Sequence, residues 1–410
     1  MTSDAERPRP VTHRRVFYIP GYDPFPARRY RELYRREAAE QARLSGHDIR
    51  VAGLPGARGH GWVVSARIDG QDVLAEFEVL AWSDIVRASM RRGVGATYAL
   101  LARTLWRYLR GGVLFRLARL RRGPVIAALY PAAMLVAQAL VALGLAAGIA
   151  ALVGLALPGW AALVAGAATM PATLAWFRAR DRRIYAHYLM HDYAFAAACD
   201  GATPPALAAR IETFADRVAA ALAEGPDEVL VVGHSSGAQI AISVLAGLIR
   251  QGRVPAAGPA LSLLTLGHAV PMVSFLPRAG ALRRDLAQMA VQDRAAWVDV
   301  TAPGDGCSFA LCDPVLVTGV APAGKRWPLV ISAAFSRTLS PARWARLRRR
   351  FFRLHFQYLC AFDNLRGAPG DYDYFRVTAG PLTLARRFAA RPPSPSRIER
   401  AESPYRDFGA

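Results

Sequence analysis

From Pro124 to Phe177 the chain runs for 54 positions without a charged side chain. A bilayer core takes about 20 apolar residues per helix, so this run is too long for one span and suits two joined tightly. Leu157-Pro158-Gly159-Trp160 is the best connector, combining turn residues with an interface-favouring tryptophan; Gly144, Gly148 and Gly154 would also permit a turn. Arginines crowd both outer ends: Arg116, Arg119, Arg121 and Arg122 before, and Arg178, Arg180, Arg182 and Arg183 after. By the positive-inside bias both ends of such a hairpin face the cytoplasm. The hairpin therefore interrupts whatever domain surrounds it and returns the chain to the side it left. An integral protein of a bacterial inner membrane, with its main domain in the cytoplasm, is the expectation.

The formal net charge is +21, and Lys325 is the only lysine among 52 basic residues. Such a balance suits nucleic acid or an anionic membrane surface, and location decides between them. The charge gathers beside the apolar run, which favours the membrane and argues against nucleic acid. Over 84–123, Arg103, Arg107, Arg110, Arg116 and Arg119 alternate with Leu100, Leu101, Leu105, Trp106, Leu109 and Leu117. That pattern predicts a helical region lying in the interface, apolar face down and arginines toward anionic headgroups. Four scattered cysteines without CxxC spacing predict reduced thiols. Met1 to Arg15 is polar and lacks a signal-peptide pattern.

The chemistry concentrates in Glu228-Val-Leu-Val-Val-Gly-His-Ser-Ser-Gly-Ala-Gln-Ile. Val229 to Val232 reads as a strand buried on both faces, and apolar residues at helical spacing run from Ala238 to Leu248. Strand, G-x-S-x-G, helix describes a nucleophile elbow, in which glycines two before and two after the serine give the bend room. Other strands are expected at Val16–Ile19, Ile49–Ala52 (short), Ala260–Leu266 (buried), Trp297–Thr301 and Pro328–Ala333, with a hairpin over 61–80 and helices over Ala27–Leu44, Pro204–Ala223 and Ala342–Phe352. Strands separated by helices indicate an α/β fold, a doubly wound, mostly parallel sheet with helices on both faces, here interrupted by the two-helix transmembrane hairpin.

On the G-H-S-S-G elbow the chain resembles the α/β-hydrolase superfamily, specifically its serine lipases and esterases; the likeness covers roughly residues 15 to 55 and 205 to 380 as topology, and only the elbow is specific residue by residue. The competing account is a chance glycine-serine turn. Domain organisation then reads as a disordered leader (1–14), a first hydrolase part (15–83), the basic amphipathic region (84–123), the hairpin (124–178), the main hydrolase part (179–390) and a disordered tail (391–410).

A serine hydroxyl becomes nucleophilic when an imidazole takes its proton, and a carboxylate must orient that imidazole. The resemblance implies the order serine, acid, histidine, each after a later strand. Ser235 is then the nucleophile, Asp305 the acid, with Asp313 next in line, and His355 the base. His268 precedes Asp305 and has the wrong order, while His234 is expected to be structural. The oxyanion hole would be the backbone N–H of Ser236 with that of Gly21 or Tyr22 in Pro20-Gly21-Tyr22-Asp23; the same stretch also reads as an ordinary turn in which Asp23 caps the next helix. His187 and His191 stand one helical turn apart, but without the glutamate of an HExxH zinc site they read as packing residues. The expected activity is cleavage of ester or thioester bonds in amphiphilic, lipid-like small molecules, with no metal or organic cofactor. The rival from another class is a non-catalytic membrane protein using a degenerate hydrolase domain for binding or scaffolding. A transporter is disfavoured because the spans offer little polar beyond Gln138.

Overall fold

The computed structural model describes residues 9–54, 61–367 and 370–409. Its organising element is one eight-stranded sheet in the order β2-β3-β4-β1-β5-β6-β7-β8. The strands are β1 His13–Ile19, β2 Asp48–Gly53, β3 Gly61–Ile68, β4 Gln71–Val79, β5 Glu228–His234, β6 Ala260–Leu266, β7 Ala295–Thr301 and β8 Leu329–Ser332. Only β2, β3 and β4 are joined antiparallel, a meander at one edge; β4, β1, β5, β6, β7 and β8 run parallel. The mixed α/β fold expected from the sequence is thus present, with helices against both faces. Alternating side chains serve the two faces: Val16, Tyr18, Leu230 and Val232 enter one core, while Phe17, Ile19, Val229 and Val231 enter the other. Helix α1 (Arg28–Ser45) covers the first through Tyr30, Tyr34 and Ala38.

Between β4 and β5 the chain leaves the sheet. Helices α2 (Ser83–Met90), α3 (Val94–Arg110) and α4 (Val113–Leu120) lead to an apolar hairpin of α5 (Arg122–Gly154) and α6 (Gly159–Ala179). Both hairpin helices are long and apolar enough to cross a membrane, and the turn falls at Leu155–Pro158, where proline and glycine place it. Their outer surface carries Leu140, Leu143, Leu152, Leu155, Trp160 and Leu163, all more than half exposed, a surface that water would not tolerate in so dense a patch. At about 1.5 Å per residue α5 spans roughly 50 Å; its first turns bury Pro124, Val125 and Leu135 in protein. The short α7 (Asp181–Ile184), then α8 (Ala186–Ala196) and α9 (Pro205–Ala223), return the chain to β5, which α10 (Gly237–Arg250) follows.

Three expectations are corrected. The amphipathic region is not one interfacial surface: Leu101, Leu117 and Leu120 pack into protein, because α8 and the loops after β6 and β7 supply a drier partner, and only Trp106, Leu109 and Phe115 of its large apolar side chains stay exposed. The predicted helix Ala342–Phe352 is broken into Pro341–Leu347 and Phe351–His355, the chain leaving helical geometry at Arg350 (φ −109°, ψ 71°). Order also extends to the described residues 9–14 and 391–409. Residues 391–409 are packed and hydrogen-bonded rather than disordered: Ser394 N–H donates to Val330, Ile398 to Leu311 and Glu402 to Val317, and Arg283 holds Asp407. Of the expected leader, residues 1–8 lie outside the described ones, whereas Thr12, His13 and Arg14 are tied to the sheet. Thr12 and His13 N–H donate to Asp227.

Arg14 and Glu228 form a fully buried ion pair at 2.6 Å across β1 and β5. Further bonds support the pair: Arg14 also donates to the carbonyls of Gly380 and Leu382, and Glu228 accepts from the Ser262 hydroxyl and Leu384 N–H. Arg14→Leu strands a buried carboxylate and is expected to cost about 3–5 kcal/mol. Unfolding of the purified full chain in detergent measures it; a loss below about 1 kcal/mol would show the pair to be dispensable.

Candidate active site

Parallel strands deliver their following loops to one edge of the sheet, where ligands of such folds bind. The loops after β1, β5, β7 and β8 carry Gly21, Ser235, Asp305 and His355 respectively. All but Asp305 line one cleft of about 1250 Å³.

Ser235 sits on the bend between β5 and α10 with φ of 58°, the left-handed region that costs a non-glycine residue of order 1 kcal/mol or more. The surroundings enforce it. A Cβ on Gly237 would stand 2.3 Å from the Ile19 carbonyl oxygen, and one on Gly233 would stand 2.7 Å from Ala238 Cα. A Cβ on Gly21 would fall 2.9 Å from that of Ser235. Three backbone segments thus meet with no room for side chains, and Ser235 N–H is pinned to Leu266 C=O at 2.9 Å.

Asp305 is 2% exposed, and both carboxylate oxygens are used. Oδ1 accepts from Cys307 N–H at 3.0 Å, while Oδ2 accepts from the Tyr358 hydroxyl at 3.0 Å and faces His355 Nδ1 at 2.8 Å. Burial works to raise its pKa, but the neighbouring imidazole and these hydrogen bonds outweigh it and hold the carboxyl below its ordinary value. A carboxylate only accepts, so Nδ1 of His355 carries the proton and Nε2 is left as the basic nitrogen. Asp313, the second choice for the acid, is occupied elsewhere: it caps Pro314–Thr318 and pairs with Lys325 at 2.7 Å.

His355 was expected on a loop and instead ends the short helix Phe351–His355, where it is 6% exposed. Two residues hold it: His234, in the structural role expected for it, and Tyr358, which sequence reasoning did not place. His234 packs ring on ring with it at 4.7 Å and donates from Nε2 to its carbonyl at 3.0 Å; burial, then the charge of His355, pushes the His234 pKa down to about 3, so it stays a neutral donor. Tyr358, three positions on, bonds Asp305 and receives Ala302 N–H. Only its place in an aromatic run after the histidine could have signalled it. Gly267, at φ of 54°, leaves the space these rings fill; a Cβ there would lie 2.6 Å from Tyr358.

Of the expected oxyanion donors, Tyr22 N–H is already engaged, donating to Ser236 Oγ at 2.9 Å. That removes it from the hole as drawn from the sequence. The N–H groups of Ser236 and Gly21 have no acceptor among the described residues. Asp23 does not cap α1, whose N-cap is Ala27, but accepts from Phe25 N–H and the Tyr30 hydroxyl. No hydrogen bond joins Ser235 Oγ to His355 among the described residues. His268 lies apart, against Cys312 C=O and Asp299, and His187 and His191 are buried along α8, the latter beside Thr97 of α3.

Asp305, Cys307 and His355 offer three ligand atoms within 4.8 Å of one another. They fit a metal poorly: Nδ1 of His355 is committed to Asp305, and burial first, then the Asp305 charge, drives the Cys307 thiol up, away from the thiolate that binds metals. The cleft also contains Asp192 of α8, which makes no hydrogen bond among the described residues and lies near His355, Cys307, Tyr22 and Tyr188.

Comparison with protein-family models, curated proteins and solved structures finds no match to this chain.

Burial pushes the Asp192 carboxyl from its ordinary 3.8 up to about 7. Between those values the folded chain keeps a proton that the unfolded chain releases, so this group's contribution to stability is fully present below about pH 4 and is lost as pH rises to 7. Asp192→Asn removes that loss. Its melting advantage over the natural protein should widen between pH 5 and 8 by about 1–2 kcal/mol, after allowance for screening by water in the cleft. A constant difference across that range would refute the shifted carboxyl.

Proposed function

We propose that the chain is a membrane-anchored serine hydrolase of the α/β-hydrolase type, cleaving ester or thioester bonds in amphiphilic, lipid-like substrates through an acyl-Ser235 intermediate. The observation that carries this reading is Ser235 on an enforced left-handed bend, in one cleft with a histidine whose far nitrogen is bonded to a buried carboxylate. The chain order serine, aspartate, histidine, each after a later strand, supports the kinship.

In the proposed reaction Ser235 Oγ attacks the acyl carbon while His355 Nε2 takes the hydroxyl proton. Asp305 keeps Nδ1–H oriented and stabilises the imidazolium. The carbonyl oxygen becomes an oxyanion against Ser236 and Gly21 N–H; losing such a donor costs roughly 3 kcal/mol of transition-state stabilisation. The tetrahedral adduct collapses, the bond to the alcohol or thiol breaks, and the leaving group takes the proton from Nε2. Water then repeats the sequence on the acyl-enzyme, with His355 first as base and then as acid, and releases the carboxylic acid. The missing Ser235–His355 hydrogen bond is of a kind that free enzymes often show and that tightens with substrate.

The anchor is the apolar hairpin, and arginine at both its ends supports a cytoplasmic catalytic domain. Held there, the cleft would meet amphiphilic esters at high local concentration. One observation favours the rival, a degenerate hydrolase domain that only binds: the absence of a Ser235–His355 hydrogen bond among the described residues combined with an occupied Tyr22 N–H.

A fluorophosphonate probe separates the two. Membranes bearing the natural protein should label. Ser235→Ala should abolish labelling, and His355→Ala should slow it by at least about 10³-fold. Absent labelling, or labelling that survives loss of Ser235, would sink the hydrolase reading.

A further inference from the structure

We infer that the substrate is an acyl ester bearing a net anionic phosphate group near the scissile bond, drawn from the leaflet around the base of the apolar hairpin; this rests on the hydrolase reading above. The mouth of the cleft carries Arg182, at the foot of α6, and Arg346, Arg350 and Arg353, on the segment that presents His355. All four are exposed, and none has a side-chain hydrogen bond or ion pair among the described residues. The acids at the mouth are otherwise committed. Asp23 is taken by Tyr30 and Arg29, Glu37 by Arg36 and Arg343, Glu32 by Arg31 and Arg35, and Asp181 by the N–H groups of His187 and Tyr188.

Four guanidinium groups around one opening, none of them ion-paired to an acid among the described residues, fit a phosphate, whose oxygens accept from their planar forks. Among the described acids that line the cleft, Asp192 alone is uncommitted, inside it and near His355. No free carboxylate at the rim matches a headgroup cation, so a net anionic lipid fits better than a zwitterionic one.

The position of the mouth points to the leaflet. Pro124, Arg178 and Ala179, at the two ends of the hairpin, line the cleft. A Cβ on Gly123 would stand 3.1 Å from Gly306 in the acid loop, and the Tyr185 ring lies 5.0 Å from that of Phe352 in the histidine segment. Arg350-Phe351-Phe352-Arg353 places two exposed aromatic rings between arginines, a composition suited to an anionic interface. Inside, Met90, Leu189, Met272 and Leu347 give an apolar wall for an acyl chain, and the cleft exceeds the roughly 300–1,000 Å³ of an ordinary small-molecule site.

A soluble acyl thioester with phosphate groups shares this chemistry, so the test has arms for both sources. The full chain is reconstituted and given phosphatidylglycerol vesicles, phosphatidylcholine vesicles, soluble acyl coenzyme A and a neutral p-nitrophenyl ester. Phosphatidylglycerol should be cleaved at least about tenfold faster than phosphatidylcholine, and the ratio should fall about tenfold in Arg350→Gln/Arg353→Gln, as expected for lost charge-assisted bonds. Should that variant misfold, raising salt from 0.05 to 0.5 M must shrink the natural protein's ratio instead, as screening requires. Equal rates on both vesicles, with the neutral ester cleaved, overturn the anionic substrate and leave the hydrolase reading standing. Preference for acyl coenzyme A over either vesicle overturns the leaflet source. No cleavage of any substrate overturns both readings.

Discussion

The close approach of β1, β5 and α10 at the serine bend is the constraint on which the rest of the site depends. Backbone at Ile19 and Pro20 meets backbone at Gly237, and Gly21 meets Ser235, at separations that exclude a Cβ. That packing forces Ser235 into its left-handed conformation rather than letting it relax. A hydroxyl on a free loop would gain the same exposure but lose its direction. Here the direction is set by two buried strands, whose hydrogen-bond ladder fixes the register of Ile19 against Gly233. Strain at this bend is therefore maintained by the core, the usual arrangement where backbone strain persists.

The partners of the serine are held by a different device, a chain of buried polar contacts. Tyr358 bridges Ala302 and Asp305, Asp305 faces His355, and the His355 carbonyl receives His234, which is the residue before the serine. The chain closes on the elbow itself. A rotation of the His355 ring would break its bond to Asp305 while its carbonyl stays tied to His234, leaving a buried donor unpaired at about 1–3 kcal/mol. The depressed pKa of His234 fits this role, since a neutral ring donates to a carbonyl without adding a charge beside His355.

What the sequence discloses follows from how local each signal is. The β5 run, its glycine pair and the uncharged 54-residue stretch are contiguous, so period and composition reveal them, and the strands at β1, β6, β7 and β8 fall where apolar runs predict. The three strands of the edge meander were legible, but the antiparallel pairing of β2 with β3 was not, because pairing joins segments that sequence period does not connect. Asp305 and Asp313 look alike in sequence, both following β7 on turn-like segments; only the fold shows that Lys325 and a helix N-terminus claim the second. The ordered termini were hidden because composition is a poor guide where the sheet supplies partners: Arg14 belongs to a polar leader by content and to the core by its pairing with Glu228. Tyr358 and Asp192 were illegible for a similar reason, their importance lying in contacts more than 50 and more than 100 residues away.

The hairpin is more than an appendage, because its ends touch the loops that carry the site. Gly123 lies against the acid loop at Gly306, and Arg121 donates to Ala310 C=O just beyond it. On leaving α6 the chain packs Tyr185 against Phe352, three residues before His355, and sends the Tyr188 hydroxyl to the Tyr22 carbonyl beside the elbow. Acid, histidine and first-strand loops are each in contact with residues within ten positions of the hairpin. A tilt of α5 against α6 would therefore move these loops relative to a serine fixed by the sheet. Since packed interfaces shift between discrete arrangements more readily than they deform, the surroundings of the hairpin are mechanically placed to shift the loops that carry Asp305 and His355 relative to Ser235.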